Sequence, residues 1–152
     1  MRVIQLEKIP LISIQTYYAK QILEGTKIYE FRKSPIKEEL YHQKIYIYSA
    51  KEEKAIVGYM RVSNVLCANT EEILKLTNYD KHKDRKHIWK YFGRSRLNCY
   101  ALVIEEVCEF TNYLTLEKLK SIKNNLVMPQ YLTYICEDNP LYSVIMNWEN
   151  NS

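Results

Sequence analysis

No apolar run in this chain approaches the ~18 residues that a membrane-spanning helix requires. The opening MRVIQLEKIPLISI is broken by Glu7, Lys8 and Pro10 and forms no signal-peptide core. Cysteine is scarce, and Cys67, Cys99, Cys108 and Cys136 make no C-x-x-C pair. Cys99 and Cys108 fall in an apolar, strand-like run, which suits buried free thiols better than disulfides or zinc ligands. Of the three histidines, His82 and His87 stand five apart, off the i, i+4 spacing that sets two ligands on one helical face, and His42 is isolated. No metal site and no cofactor is expected. No Ser-His-Asp or Cys-His arrangement is legible, and repeats and low-complexity segments are missing. Together these absences predict a cytoplasmic protein without a membrane role; they do not fix an oligomeric state.

What is present has the balance of a globular domain. The 152 residues are 47% hydrophobic and 26% charged, enough chain for one domain over 1–152 with a sizeable core. The formal charge of +4 is unevenly placed. Lys81, Lys83, Arg85, Lys86, Lys90, Arg94 and Arg96 face a single acid, Asp84, so residues 81–96 carry +6, against +2 for residues 1–80 and −4 for residues 97–152. A local basic stripe attracts phosphate. Because Trp89, Tyr91 and Phe92 interleave with the charges, the stripe suits single-stranded nucleic acid, whose backbone the cations follow and whose bases the rings stack. The plain alternative is a solvated helix with its aromatics in the core.

The most structured stretch is 13–32, SIQTYYAKQILEGTKIYEFR. An apolar strand at Leu11–Ile14 leads into a helix predicted over Thr16–Glu24, with Tyr18, Ala19, Ile22 and Leu23 on one face, Thr16 as its cap and Gly25 as its left-handed stop. Thr26–Arg32 then alternates as a strand, with Ile28, Glu30 and Arg32 on one face and Lys27, Tyr29 and Phe31 on the other. A charged pair at i and i+2 beside an apolar residue either faces water or lines a polar pocket. In a pocket, Arg32 offers a planar fork of donors to a phosphate or a base. Glu30 accepts from an exocyclic amine, and Lys27 supplies a point charge, or a base if desolvated.

Further along, strands are predicted at Gln43–Ser49, Ala55–Val65 (broken by Gly58), Leu97–Phe110 and Ser143–Trp148. Helices are predicted at Thr70–Leu76, in the basic stretch up to Gly93, and at Thr115–Ile122. Strands outnumber helices without βαβ regularity, which predicts an α+β chain built as a small mixed β-barrel.

The order of Ser13-Ile14, a helix ending Ile22-Leu23-Glu24-Gly25, and Lys27-x-x-Glu30-x-Arg32 resembles the ASCH family, a branch of the PUA-like β-barrels. The resemblance continues through Tyr46-Ile47-Tyr48-Ser49-Ala50, Ile56-Val57-Gly58-Tyr59 and Met128-Pro129-Gln130-Tyr131-Leu132. It implies a PUA-like mixed β-barrel with peripheral helices. It also implies a cleft in which Lys27, Glu30 and Arg32 meet a ligand, Tyr48 stacks on a base, Ser49 offers a hydroxyl and Gln130 contributes from the C-terminal motif. Tyr48 packed into the barrel wall is the plainer alternative.

Members of the family bind RNA, and some act as ribonucleases or hydrolyse acetylated cytidine through a lysine and a threonine on this strand with a distant glutamate. Lys27 matches the lysine. The threonine's place is held by Glu30, and the lysine that follows Ser-Ile in the closer subgroup is Gln15 here. The expectation is a protein that binds RNA, a nucleotide or a modified base, with Lys86, Trp89, Lys90, Arg94 and Arg96 along the nucleic-acid backbone. The alternatives are a hydrolase, ribonuclease or nucleoside amidohydrolase, using Lys27 and Glu30 as catalytic candidates, and a protein-interaction module.

Overall fold

Apolar β-branched runs and helix-spaced stretches alternate along the chain, and the computed structural model, which describes residues 7–128 and 130–151, resolves them into six strands and five helices. In order they are β1 (Lys8–Gln15), α1 (Thr16–Glu24), β2 (Tyr29–Arg32), β3 (Ile45–Ala50), β4 (Ala55–Ala68), α2 (Thr70–Leu76), α3 (Arg85–Phe92), β5 (Cys99–Thr115), α4 (Leu116–Ile122), β6 (Thr133–Cys136) and α5 (Leu141–Asn151). The strands form one mixed sheet in the order β2-β5-β4-β3-β1-β6. β1 pairs parallel with β3 and antiparallel with β6, and β3–β4 and β2–β5 are antiparallel. The α+β class is as expected. The order ends at β2 and β6, and among the described residues no ladder joins those two strands, so a closed barrel is not seen.

The chain divides into two compact units, one of residues 1–26, 44–60 and 107–152, the other of residues 27–43 and 61–106. The first is built on Ile9, Leu11, Tyr46, Tyr48, Ile56, Phe110, Leu114 and Leu119, with Leu141 and Ile145 of α5 closing it. The second is built on Phe31, Ile73, Leu74, Tyr79, Ile88, Phe92, Cys99 and Ala101.

Local chemistry explains most boundaries. Gly25 ends α1 at φ +81°, and the amides of Gly25 and Thr26 donate to the carbonyls of Ile22 and Gln21, the pattern of a left-handed helix stop. Thr16 does not cap α1. Its hydroxyl donates instead to the Ala50 carbonyl at 2.7 Å, a tertiary bond that sequence alone does not show. Asn69 caps α2 by accepting from the Glu72 amide, and Thr115 caps α4 by accepting from the Lys118 amide. The segment 143–148 is helix rather than strand. Leu141 and Ile145 at i, i+4 are both 1% exposed, and Trp148 packs on the same cluster, so helical spacing outweighs the β-branched Val144 and Ile145. β6, only four residues long, was missed because its Thr-Tyr-Ile-Cys alternation is too short to stand out; β1 supplies its pairing.

Gly58 sits opposite Ile47, where the β3–β4 register shifts. A Cβ there would lie 2.0 Å from the Cys108 carbonyl oxygen, so this position requires close backbone approach.

Candidate functional site

β2 is four residues of alternating character, and it buries both faces at its centre: Phe31 is 7% and Glu30 6% exposed. Phe31 meets Tyr79 and Phe92 edge-on at 5.0 and 6.1 Å between ring centroids, which fixes α3 and the turn before it against β2. On the other face, the Arg32 guanidinium lies 2.9 Å from the Glu30 carboxylate, with side-chain exposures of 15% and 8%. The i, i+2 pair is therefore a shielded ion pair, not an exposed one. Shielding strengthens the attraction and also raises the cost of losing either partner.

Lys27 precedes β2 and is buried. Its ammonium lies 4.7 Å from the Phe31 ring and 5.3 Å from the Tyr79 ring, on the face that alternation assigns to it. Burial lowers its pKa below the ordinary lysine value, against the opposing pull of the Glu30 and Asp84 carboxylates. Asp84 is the residue that sequence reasoning passed over. The lone acid of the basic run is 3% exposed and sits within electrostatic reach of Lys27. Its isolation among seven cations was the available signal. The turn that delivers it is held by His82, which stacks on Tyr79 at 4.2 Å and accepts the Asp84 amide at its Nδ1.

α3 follows from that turn. Ile88 and Phe92 enter the core and Trp89 packs half-buried against it. Lys86, His87, Lys90 and Tyr91 are exposed, as is Arg94 just past the Gly93 stop. Arg96 is half-buried and donates to the carbonyls of Lys33 and Asn98 at 2.8 and 2.9 Å, so its fork fastens the loop. Tyr91 carries the Lys33 ammonium 4.9 Å from its ring centroid.

The remaining expected residues belong to the first unit. Tyr48 is 5% exposed within the core cluster, and burial raises its pKa. Ser49 is fully buried and donates to the Thr16 hydroxyl at 3.0 Å; the same Thr16 oxygen accepts the Glu53 amide at 3.2 Å. Gln130 is exposed, and its neighbour Pro129 lies outside the described residues. An open depression of about 670 Å³ follows β5 from Glu109 to Thr115, and none of the expected site residues lines it. Among the described residues no group of three or more His, Cys, Asp or Glu is placed to hold a metal ion, and no helix is long and apolar enough to cross a membrane.

Three solved structures share the fold. The ASCH protein of Zymomonas mobilis is 20% identical with a TM-score of 0.75, covering 90% of this chain and 93% of that one. A tyrosine-to-phenylalanine variant of the Zymomonas mobilis protein matches at 20% identity and TM-score 0.76 over 92% and 98% of the two chains. A serine-to-alanine variant matches at 20% identity and TM-score 0.74 over 90% and 94%. No curated protein matches the sequence. The family model for the ASCH domain matches residues 12–131, a span that contains β2, α3 and the turn before α3, and the chain belongs to the ASCH domain family.

Proposed function

We propose that this ASCH domain binds RNA in the cytoplasm, reading a base with the Glu30–Arg32 pair and holding the phosphate backbone with the exposed cations of α3. The observation that carries this reading is the packing of Phe31 on Phe92, which sets the shielded carboxylate–guanidinium pair of β2 and the basic helix α3 in one unit. Arg32 supplies donors in a rigid fork, and Glu30 supplies an acceptor suited to an exocyclic amine. Lys27 lies over Phe31 and Tyr79, on the face of β2 opposite the pair, and so balances charge rather than meeting the ligand. Lys86, Lys90 and Arg94 stand in water, where phosphate contacts are made.

The test is a salt titration of binding to short single-stranded RNA by the wild type and by the triple variant Lys86→Ala, Lys90→Ala, Arg94→Ala. Losing three phosphate contacts should weaken binding and lower the slope of log K against log salt by roughly 2–3. An unchanged slope would remove α3 from the interface.

One observation favours a hydrolase as the second reading. Lys27 has the lowered pKa of a lysine that serves as a base, and two carboxylates stand near it. RNA cleavage by the wild type that Lys27→Met abolishes, with binding retained, would favour this reading over simple recognition.

A further inference from the structure

We propose that His82 is a proton-operated latch on the buried Lys27: the neutral ring holds the backbone of Asp84, and the protonated ring takes the Asp84 carboxylate that otherwise balances the lysine. The latch works whether or not RNA is the ligand, because it concerns only how solvent pH reaches a cation that water hardly touches.

All the parts belong to one compact unit. Lys27 is buried with its ammonium over the rings of Phe31 and Tyr79, and two carboxylates act on it, Glu30 and Asp84. The two acids differ in their commitments. Glu30 is paired with Arg32 at 2.9 Å, whereas Asp84 stands at the head of α3, next to His82. The other charged residues of that turn are Asp80, which is half-buried, and Lys81, Lys83 and Arg85, which are exposed and screened by water. Asp84 is therefore the charge through which a group at the surface can act on Lys27.

His82 is that group. Its side chain is 29% exposed, and its ring stacks at 4.2 Å on Tyr79, the same ring that lies under the Lys27 ammonium. Nδ1 accepts the Asp84 amide at 3.0 Å, which places the proton of the neutral ring on Nε2. The same Nδ1 lies 3.8 Å from Oδ2 of Asp84, too far for a hydrogen bond but within reach of an ion pair. One lone pair cannot both accept the amide and hold a proton. When Nδ1 takes a proton from water, the amide loses its acceptor and the new N–H turns to the carboxylate. Lys27 and His82 then share one anion in a shielded place, and the ammonium is less well balanced. Lys27 feels that loss because burial already works against its charged form.

The experiment is a pH titration of the full chain, labelled with 13C and 15N, from about pH 8 down to about pH 5, the range in which imidazoles change charge. NMR follows the ring nitrogens of His82 and the Cε and Nζ signals of Lys27. In the wild type, Nδ1 of His82 should pass from acceptor to protonated donor, and the Lys27 signals should shift with the same midpoint. His82→Asn keeps an oxygen acceptor for the Asp84 amide and cannot titrate, so the Lys27 signals should stay flat across the range. His82→Phe keeps the stack on Tyr79 without the nitrogen and should give the same flat trace, which carries the comparison if His82→Asn does not fold. Asp84→Asn, where it folds, should leave His82 titrating and Lys27 flat, because the shared anion is gone. Lys27 signals that stay flat in the wild type while His82 titrates overturn the latch. So does a His82 ring that holds one protonation state over the whole range. A Lys27 shift of equal size and midpoint in a folded His82→Asn or His82→Phe also overturns it, since the proton would then act from elsewhere.

Discussion

Glu30 and Arg32, two residues apart on β2, pair at 2.9 Å while almost out of contact with water. An exposed ion pair of this kind would contribute ~0–1 kcal/mol. A shielded one behaves differently, because removing one partner leaves the other buried and uncompensated.

Arg32→Ala should therefore do two things. It should destabilise the fold by about 3 kcal/mol, since the Glu30 carboxylate loses its nearest cation. It should also weaken RNA binding by a further ~1–3 kcal/mol, the scale of a charge-assisted or bidentate contact. Arg32→Lys should restore part of the stability and little of the binding, because a point charge cannot reproduce the fork. Glu30→Gln should change which base is preferred. Melting curves alongside titrations against a nucleotide panel check all three, and unchanged binding profiles would place recognition elsewhere.

Acetylated cytidine should not be hydrolysed efficiently. By the sequence resemblance Glu30 falls where the family's amidohydrolases would carry a threonine, and a carboxylate salt-bridged to Arg32 neither supplies a hydroxyl nucleophile nor tolerates a developing oxyanion nearby. Incubating purified protein with the acetylated nucleoside and following its loss is sufficient. Rapid turnover that Glu30→Gln abolishes would contradict this expectation.

Alkaline pH should weaken the fold through Tyr46. Its hydroxyl donates to Glu149 at 3.2 Å, the Lys44 ammonium reaches the same oxygen at 2.8 Å, and the ring is 2% exposed. Burial, then the Glu149 charge, pushes its pKa above the ordinary value of 10.0. A raised folded-state pKa means the folded chain holds the proton that the unfolded chain releases. The stabilisation is complete below pH 10 and is lost as pH climbs from there through the folded value. Tyr46→Phe should cost about 1 kcal/mol at neutral pH and show a shallower fall in Tm above pH 10. Parallel falls in the two proteins would disprove the assignment.

Two glycines should respond to alanine for different reasons. Gly25→Ala meets no atom within 4 Å and should cost only the ~1–2 kcal/mol of a left-handed residue with a Cβ. Gly58→Ala drives a Cβ to 2.0 Å from the Cys108 carbonyl oxygen and should cost about 3 kcal/mol or more. Denaturant midpoints that reverse this order would show that the β3–β4 irregularity can relax.

Much of this was legible because the signals were local. The helix before Gly25, the stop at Gly93, and the strands expected at 55–65 and 97–110, which the structure extends to 68 and 115, follow from spacing and end residues that need no partner. The misses share a cause. Thr16 bonds a residue 34 positions away, Asp84 meets Lys27 across more than fifty residues of chain, and 143–148 is helical because of what it packs on. For the candidate site, alternation correctly placed Lys27 with Phe31. What alternation could not show is that Glu30 and Arg32 are shielded, because a charged pair at i, i+2 reads the same whether it faces water or is covered.

β2 is four residues long and, among the described residues, lies at the end of the strand order with its ladder to β5, whose paired residues lie about seventy positions further along the chain. A short outer strand held by one distant partner opens at a low free energy compared with strands flanked on both sides. In amide hydrogen exchange, Tyr29 to Arg32 should therefore lose protection before Ile45 to Ala50 does. Occupancy of the Glu30–Arg32 pair by a ligand should close that gap, which makes the exchange rate of these few amides a reporter of binding that needs no label on the RNA.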